Sequence, residues 1–319
     1  LTWPEYINKG VVDKFKAAYK AKVKFIYFDS DNAADEMLTT YGADKYYLIL
    51  GDSVSIPFYK KLGWVRSFNL KNAPNLEDVK LPFLSNLDKK DPICANYAWG
   101  TTGIAYRKNL LPEPITSWKQ IFDPATELQG KILISPIVNE VVGMALKYLG
   151  YSMGSGNKRE LEEARQLLLN QALSVVDYSS GTIDPEISKL VSGEISVSLA
   201  YSSHALLLKE AEPKIEYVLP KEGGAIWAYF VCLSAKANNL VLAHHFINQP
   251  EQAANNALSI YAATPNREAE KRLPAEFLNN PVIYQSKVAA AQSETYQALH
   301  PYTIKKQNLI MNELRKKLH

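Results

Sequence analysis

Few segments of this 319-residue chain carry residue types at a spacing that could do chemistry. Gly51-Asp52-Ser53-Val54-Ser55 follows an extended run and has the outline of a nucleophile elbow, which would make Ser53 a hydrolytic nucleophile. That sharp strand-to-helix turn demands a small residue at its last position, where this chain has Ser55 instead of Gly, and no triad partner stands out by spacing. His244-His245 are adjacent and point to different faces of a helix, unlike the i, i+4 pair of a zinc helix. Gly154-Ser155-Gly156 lacks the Gly-Lys-Ser/Thr ending of a phosphate loop. Lys305-Lys306 and Arg315-Lys316-Lys317 read as a solvated helix face. The expectation is a protein with no catalytic residue, no metal and no cofactor. Asp52 also has a plain structural role open to it, capping a helix that begins near Val54.

The elements that must position these residues form two α/β series. Val11 to Tyr19 has Val12, Phe15 and Tyr19 at helical spacing; Val23 to Phe28 reads as a strand, Ala33 to Tyr41 as a helix, and Tyr46 to Leu50 as a strand ending at Gly51. Such alternation argues for a largely parallel sheet covered by helices. Tyr97 to Tyr106 is a long extended stretch interrupted by glycines. A second series follows: strand Lys131 to Ser135, helices Glu140 to Leu149 and Lys158 to Asn170, strand Leu173 to Tyr178, helix Asp184 to Val191, strand Ile195 to Tyr201, and a helix near His204 to Ala211. Gly224 to Leu233 is a second extended crossing, and Asn238 to His319 is mostly helical. No repeat or low-complexity tract interrupts this order.

Composition agrees with two globular units. Apolar residues make up 47% and charged residues 22%, which argues against disorder. The 36 Lys+Arg against 33 Asp+Glu leave a net charge of +3, too weak for a nucleic-acid footprint. No apolar run reaches the roughly 18 residues of a membrane span. The chain opens at Leu1-Thr2-Trp3-Pro4 without a leader-like stretch, which fits a cytosolic protein or one whose targeting segment has been removed. Two cysteines exclude a disulfide-rich scaffold; Cys94 and Cys232 sit in strand-like stretches and read as buried thiols, with one bridge open to them in an oxidising compartment.

Several segments, in order, resemble the extracytoplasmic spermidine/putrescine-binding proteins of ATP-driven importers. They are Trp3-Pro4-Glu5-Tyr6, Tyr97-Ala98-Trp99-Gly100-Thr101-Thr102-Gly103-Ile104-Ala105-Tyr106, Ile115-Thr116-Ser117-Trp118 with Phe122-Asp123-Pro124, Gly193-Glu194-Ile195, Pro220-Lys221-Glu222-Gly223-Gly224-Ala225-Ile226-Trp227, and Thr264-Pro265-Asn266. The likeness spans nearly the whole chain and is more specific for the family than for the ligand. It implies an α/β, two-lobe periplasmic-binding-protein-like clamp of type II, each lobe a mixed, mostly parallel sheet flanked by helices, with extended hinge crossings. The implied N-terminal lobe is 1–103 plus 229–273 and the C-terminal lobe 104–228 plus 274–319, with the ligand cleft between them. The implied partners are a small-molecule ligand and the membrane permease of an ABC importer, with no nucleic acid. The implied protein is a monomer, periplasmic or extracytoplasmic, its signal segment removed.

A polyamine is a methylene chain carrying ammonium groups, so its site needs carboxylates for the charges and flat apolar walls for the chain. The resemblance implies Trp3, Tyr6 and Trp227 as walls, Glu5 as an acid between the first two, Tyr201 as an aromatic where the family usually has Trp, and Glu140 as an acidic ligand contact. Core packing is the plain alternative for the aromatics, and favourable charge at a helix N-terminus is one for Glu140. The chain departs from the pattern at three acidic positions. The family's amine-pairing Asp is Tyr229, a second acid is Ile137 and a third is His204. Conversely, Asp52, followed by Ser53, stands where the family commonly has Ser. The ligand set is therefore Trp3, Glu5, Tyr6, Asp52, Ser53, Glu140, Tyr201, His204, Trp227 and Tyr229. The expected ligand is a polyamine or similar organic cation; an amino acid, a peptide-like or another amphipathic molecule is the alternative that Tyr229 motivates, a ferric ion on Tyr201 and Tyr229 a remoter one, and Ser53 hydrolysis the remotest.

Overall fold

A computed structural model describes residues 1–4, 6–76, 93–179, 188–238 and 240–318. The chain divides into two compact units, one of Leu1–Gly100 with Trp227–Ile283 and the other of Thr101–Ile226 with Tyr284–His319. Nine strands are described: β1 Leu48–Asp52, β2 Val65–Arg66, β3 Cys94–Arg107, β4 Ile132–Ile134, β5 Val175–Tyr178, β6 Val197–Tyr201, β7 Ile215–Val218, β8 Ala225–Ser234 and β9 Glu294–Thr295. The chain passes from the first unit to the second along β3 and returns along β8, the two longest described strands. No described helix is long and apolar enough to cross a membrane.

In the first unit β8 pairs antiparallel with β1 and with β2. The helix Asp31–Tyr41 starts where Ser30 Oγ accepts from the Ala33 N–H and stops at Gly42, whose φ of +83° no other residue type adopts easily. Leu50, Phe68, Val231, Leu233 and Ala243 form one core; Val12, Phe15 and Phe246 form another under the helix Lys9–Tyr19. Val23 to Phe28 departs from the strand expected of it: its described contact with a strand-like partner is the parallel bridge between Thr2 and Tyr27. The cysteines also depart from expectation. Cys94 and Cys232 form a disulfide with a Cα separation of 4.2 Å, so neither is a free thiol. Two small apolar side chains in neighbouring strands look alike in sequence whether bonded or not.

In the second unit β4 pairs parallel with β5 and β6, while β3 pairs antiparallel with β6 and β7, giving the mixed sheet that crossing strands produce. Its core gathers Trp118, Ile132, Ile134, Val141, Leu161 and Leu168 with Met311 of the long helix Pro301–Leu318. The expected helix Asp184 to Val191 is described as Lys189–Ser192, with 180–187 outside the described residues.

Two of the family-like segments turn out to hold each other. Glu222 accepts from Ser117 Oγ and from the Trp118 N–H at 3.2 Å, and the Trp118 indole donates to the Gly223 carbonyl at 2.7 Å. Gly223 has φ +80°, and a Cβ on Gly224 would stand 2.1 Å from the Thr102 carbonyl oxygen. Only a Gly-Gly pair lets this loop turn into β8.

Candidate functional site

The first unit builds an aromatic cluster centred on Tyr229. Its ring lies 5.5 Å from Tyr6 and 6.2 Å from Trp3, edge-on to both, and 5.8 Å from Trp227. Trp3 also meets Phe28 edge-on at 4.8 Å and Tyr6 at 6.3 Å. The Trp3 indole N–H is buried without a hydrogen-bond partner, and Trp227 is 8% exposed. Trp3, Tyr6, Trp227 and Tyr229 are thus brought together. Glu5 lies outside the described residues.

Acid groups adjoin this cluster. In the register of β1 against β8, Asp52 is paired with Tyr229. Directly opposed residues of an antiparallel pair hold their Cβ atoms about 5 Å apart, so the carboxylate missing at 229 stands one strand away at 52. Asp52 also serves the turn expected of it: Oδ1 accepts from the Ser55 N–H at 2.7 Å, ahead of the helix Ile56–Lys61. Burial nonetheless raises its carboxyl above the ordinary range, against the hydrogen bonds from Ser55 and Val54 that lower it. Asp31 is pushed up to about 7, by burial first and then by the charges of Asp52 and Asp35. Asp35 is raised by burial and by Asp52, although the Tyr59 hydroxyl donates to it at 2.8 Å.

Asp31 and Asp35 are the residues that sequence reasoning missed. Their signal was present: they stand at i and i+4 of one helix, a spacing that puts two like charges on one face at a cost. Nothing in the spacing said that this face turns toward β1. The result is three carboxylates held close in partial burial, an arrangement whose self-repulsion a bound cation relieves.

Ser53 lies in the turn after β1. A hydrolytic role would need a histidine, and His244 of the same unit is committed elsewhere. Its Nε2 accepts from the Asn69 N–H at 2.9 Å and its Nδ1 faces the Leu240 carbonyl at 2.6 Å.

The second unit builds a separate group around Glu140, at the start of the helix Val138–Tyr148. Glu140 is 3% exposed and accepts a short hydrogen bond from the Tyr201 hydroxyl, with Ser135 as a second donor. Burial outweighs both donors and pushes its carboxyl up to about 7. His204 packs edge-on to Tyr201 at 5.1 Å, and burial lowers its imidazole to about 4, so it is neutral at physiological pH. Tyr296, unmarked in the sequence reading, joins this group. Its phenol is raised by burial and by the Glu140 charge, and it donates to Thr102 Oγ1 at 3.3 Å. Ile137, at the position of a lost acid, is exposed.

Among the described residues no group of three or more His, Cys, Asp or Glu is placed to hold a metal ion. The chemistry on offer is recognition of an organic cation: aromatic faces and edges with three acids in one unit, and a buried acid with phenols and a neutral imidazole in the other.

Comparison with known proteins agrees with this chemistry. Residues 10–283 match the family model of bacterial extracellular solute-binding proteins. The spermidine/putrescine-binding periplasmic protein of Escherichia coli is 29% identical, over 93% of this chain and 89% of its own length. A putrescine-binding periplasmic protein of Pseudomonas aeruginosa is 27% identical, over 93% and 86%. The structure of a spermidine/putrescine ABC transporter substrate-binding protein of Streptococcus pneumoniae shares the fold at a TM-score of 0.88 and 20% identity, covering 100% of this chain and 98% of that one. The chain belongs to the bacterial extracellular solute-binding proteins.

Proposed function

We propose that this protein captures a linear polyamine of the spermidine/putrescine class and delivers it to the permease of an ABC importer, acting as a monomeric, non-enzymatic binding protein in the periplasm or an equivalent extracytoplasmic space, with no nucleic-acid partner. Binding works by closure of two lobes on the ligand, each contributing its own contacts. One ammonium is held by Asp52 and Asp31 beside Trp3, Tyr6, Trp227 and Tyr229. Glu140, with Tyr201, Tyr296 and His204, receives the other end. Ser53, next to Asp52 in the chain, borders the first group.

The observation that carries the reading is the pairing of Asp52 with Tyr229, which keeps a carboxylate at the place where the family resemblance expects one. The raised carboxyls point the same way, because an acid held short of full ionisation is one that gains a partner on binding. A free amino acid fits less well, since its own carboxylate would face these acids. The names of the relatives support the polyamine, and the disulfide suits an oxidising compartment.

Thermal denaturation with putrescine, spermidine, GABA and glutamate tests the reading. A ligand that binds only the folded state raises the midpoint. The two polyamines should raise it at micromolar concentration and the other two should not; no shift with either polyamine at millimolar concentration rejects the polyamine.

A further inference from the structure

Glu140 and Lys147 are the only Asp, Glu, Lys or Arg side chains among the described residues that are buried, and both lie on the helix Val138–Tyr148. Seven residues are about two helical turns, so the two side chains share a face about 10 Å apart along the axis. Glu140 belongs to the ligand group of the second unit. Lys147 does not, yet a lysine is almost never buried unless it is paired. Its side chain is 8% exposed, and its Nζ donates to Glu294 Oε1 at 3.0 Å. Glu294 also accepts from Ser152 Oγ at 2.6 Å and from the Met153 N–H at 3.2 Å. Burial works to raise the Glu294 carboxyl, but these donors together hold it below the ordinary range.

Glu294 opens β9, which is two residues long and runs parallel to the start of β8. The Glu294 N–H donates to the Gly224 carbonyl at 3.1 Å, and the Tyr296 N–H to the Ile226 carbonyl at 3.3 Å. Beyond Tyr296, residues 297–300 have no regular structure. So short a strand holds its own place weakly, and the Glu294 side chain supplies a further anchor. Residues i and i+2 of an extended chain point to the same side, about 7 Å apart. Glu294 and Tyr296 have this spacing, so the helix and the extended chain run as two rails. Lys147 and Glu294 tie the rails at one end. Glu140 and Tyr296 meet across them at the other, where the Tyr296 phenol, raised first by burial, is raised further by the Glu140 charge.

We propose, on the reading that Glu140 and Tyr296 receive one end of the ligand, that Lys147 is a positioning residue of that site: by tying Glu294 to the helix that carries Glu140, it sets where the Tyr296 hydroxyl stands relative to that acid. A buried ammonium needs a carboxylate wherever it lies. This one finds it two residues from a phenol of the ligand group and two turns from an acid of the same group, so the geometry of the pair becomes the geometry of the site. The bond from the Tyr296 hydroxyl to Thr102 Oγ1, at 3.3 Å, is long for an O–H donor and does not fix the ring by itself.

The test uses Lys147→Met, which keeps helix propensity and removes the charge, with Lys147→Arg as the conservative variant and Glu294→Gln as the probe from the other side. In the ligand-free protein the isotope-labelled ring of Tyr296 is followed by NMR from about pH 5 to about pH 9. Its shift should step as Glu140 titrates near 7, in the parent and in Lys147→Arg alike. The step should shrink by roughly half or more in Lys147→Met and in Glu294→Gln, because a charge is felt less at a greater distance. Putrescine affinity is then read by calorimetry. Lys147→Met should weaken it about fivefold, the worth of one hydrogen bond, and Lys147→Arg should restore it. In a Tyr296→Phe background Lys147→Met should cost nothing further, since an effect that runs through the hydroxyl cannot be lost twice. A step of unchanged size in both Lys147→Met and Glu294→Gln overturns the proposal, as does a loss of affinity that adds in full to that of Tyr296→Phe. Absence of putrescine binding in the parent overturns the polyamine reading alone, because the ligand-free step decides the positioning role by itself.

Discussion

Replacing Asp52 by Asn separates the charge of this side chain from its structural duty. The amide oxygen still accepts from the Ser55 N–H, so the turn into Ile56–Lys61 survives. What disappears is one of three mutually repelling carboxylates whose proximity helps push Asp31 up to about 7. Two effects of opposite sign follow. The ligand-free protein should become more stable, because a buried, raised carboxyl opposes folding in its charged form. Affinity should fall, because a hydrogen bond to a charged group is worth about 1.5–3 kcal/mol, or about 10–150-fold in Kd. Isothermal titration with putrescine at pH 8 and low salt, beside urea unfolding without ligand, reads both. Moving the carboxylate across the strand pair, with Asp52→Ser and Tyr229→Asp together, should recover most of the affinity, since the register places the two side chains next to each other. Tyr229→Asp alone should not tighten binding: it adds a fourth acid and removes the ring that Trp3, Tyr6 and Trp227 pack around. The reasoning fails if Asp52→Asn binds putrescine as well as the parent does, or if Tyr229→Asp alone improves binding.

Three further outcomes are expected. Cation binding favours ionised carboxylates, so with Asp31 and Glu140 each near 7 the affinity for putrescine should fall about tenfold per group from pH 8 to pH 6. Titration in buffers of different ionisation heat should show proton release near pH 7, and a flat profile would remove both acids from the site. Glu140 is raised from 4.5, so its contribution to stability worsens as pH rises from about 4.5 to 7 and then levels off. Glu140→Gln keeps an acceptor for Tyr201 and should stabilise the ligand-free protein at pH 8 by up to about 3 kcal/mol while changing little at pH 4.5, as read from urea midpoints. Reducing Cys94–Cys232, which closes a loop of 138 residues, should lower unfolding free energy by up to about 5 kcal/mol on chain-entropy grounds, measured by urea unfolding with and without a phosphine reductant.

Much of this architecture was legible because it is local or periodic. The helical spacing around Val12 and Phe15 and the extended crossings at Tyr97 to Tyr106 and Gly224 to Leu233 appear where the sequence puts them. What was not legible depends on register and on which face turns where. Asp52 opposite Tyr229 is a fact of how β1 meets β8, 177 positions apart along the chain, and no local pattern encodes it. Asp31 and Asp35 carry no motif of their own, and only the packing that brings their helix toward Asp52 makes them part of the site. Val23 to Phe28 has every mark of a strand, and its propensity is realised only where Leu1 and Thr2 supply a neighbour.

The family-like segments separate into two kinds once their bonds are traced. Ser117, Trp118, Glu222 and Gly223 bond to one another, and Asn266 accepts from the Glu268 and Ala269 N–H groups at the start of its helix. These residues hold loops by bonds within the chain. Trp3 with its unpaired indole N–H, and the acids Asp31, Asp52 and Glu140, are the opposite: the indole lacks a partner, and burial raises all three carboxyls. A resemblance carried mainly by the first kind identifies the scaffold. The second kind is where a ligand returns free energy that folding left unclaimed, so the acids, and Asp52 before the others, decide what this scaffold holds.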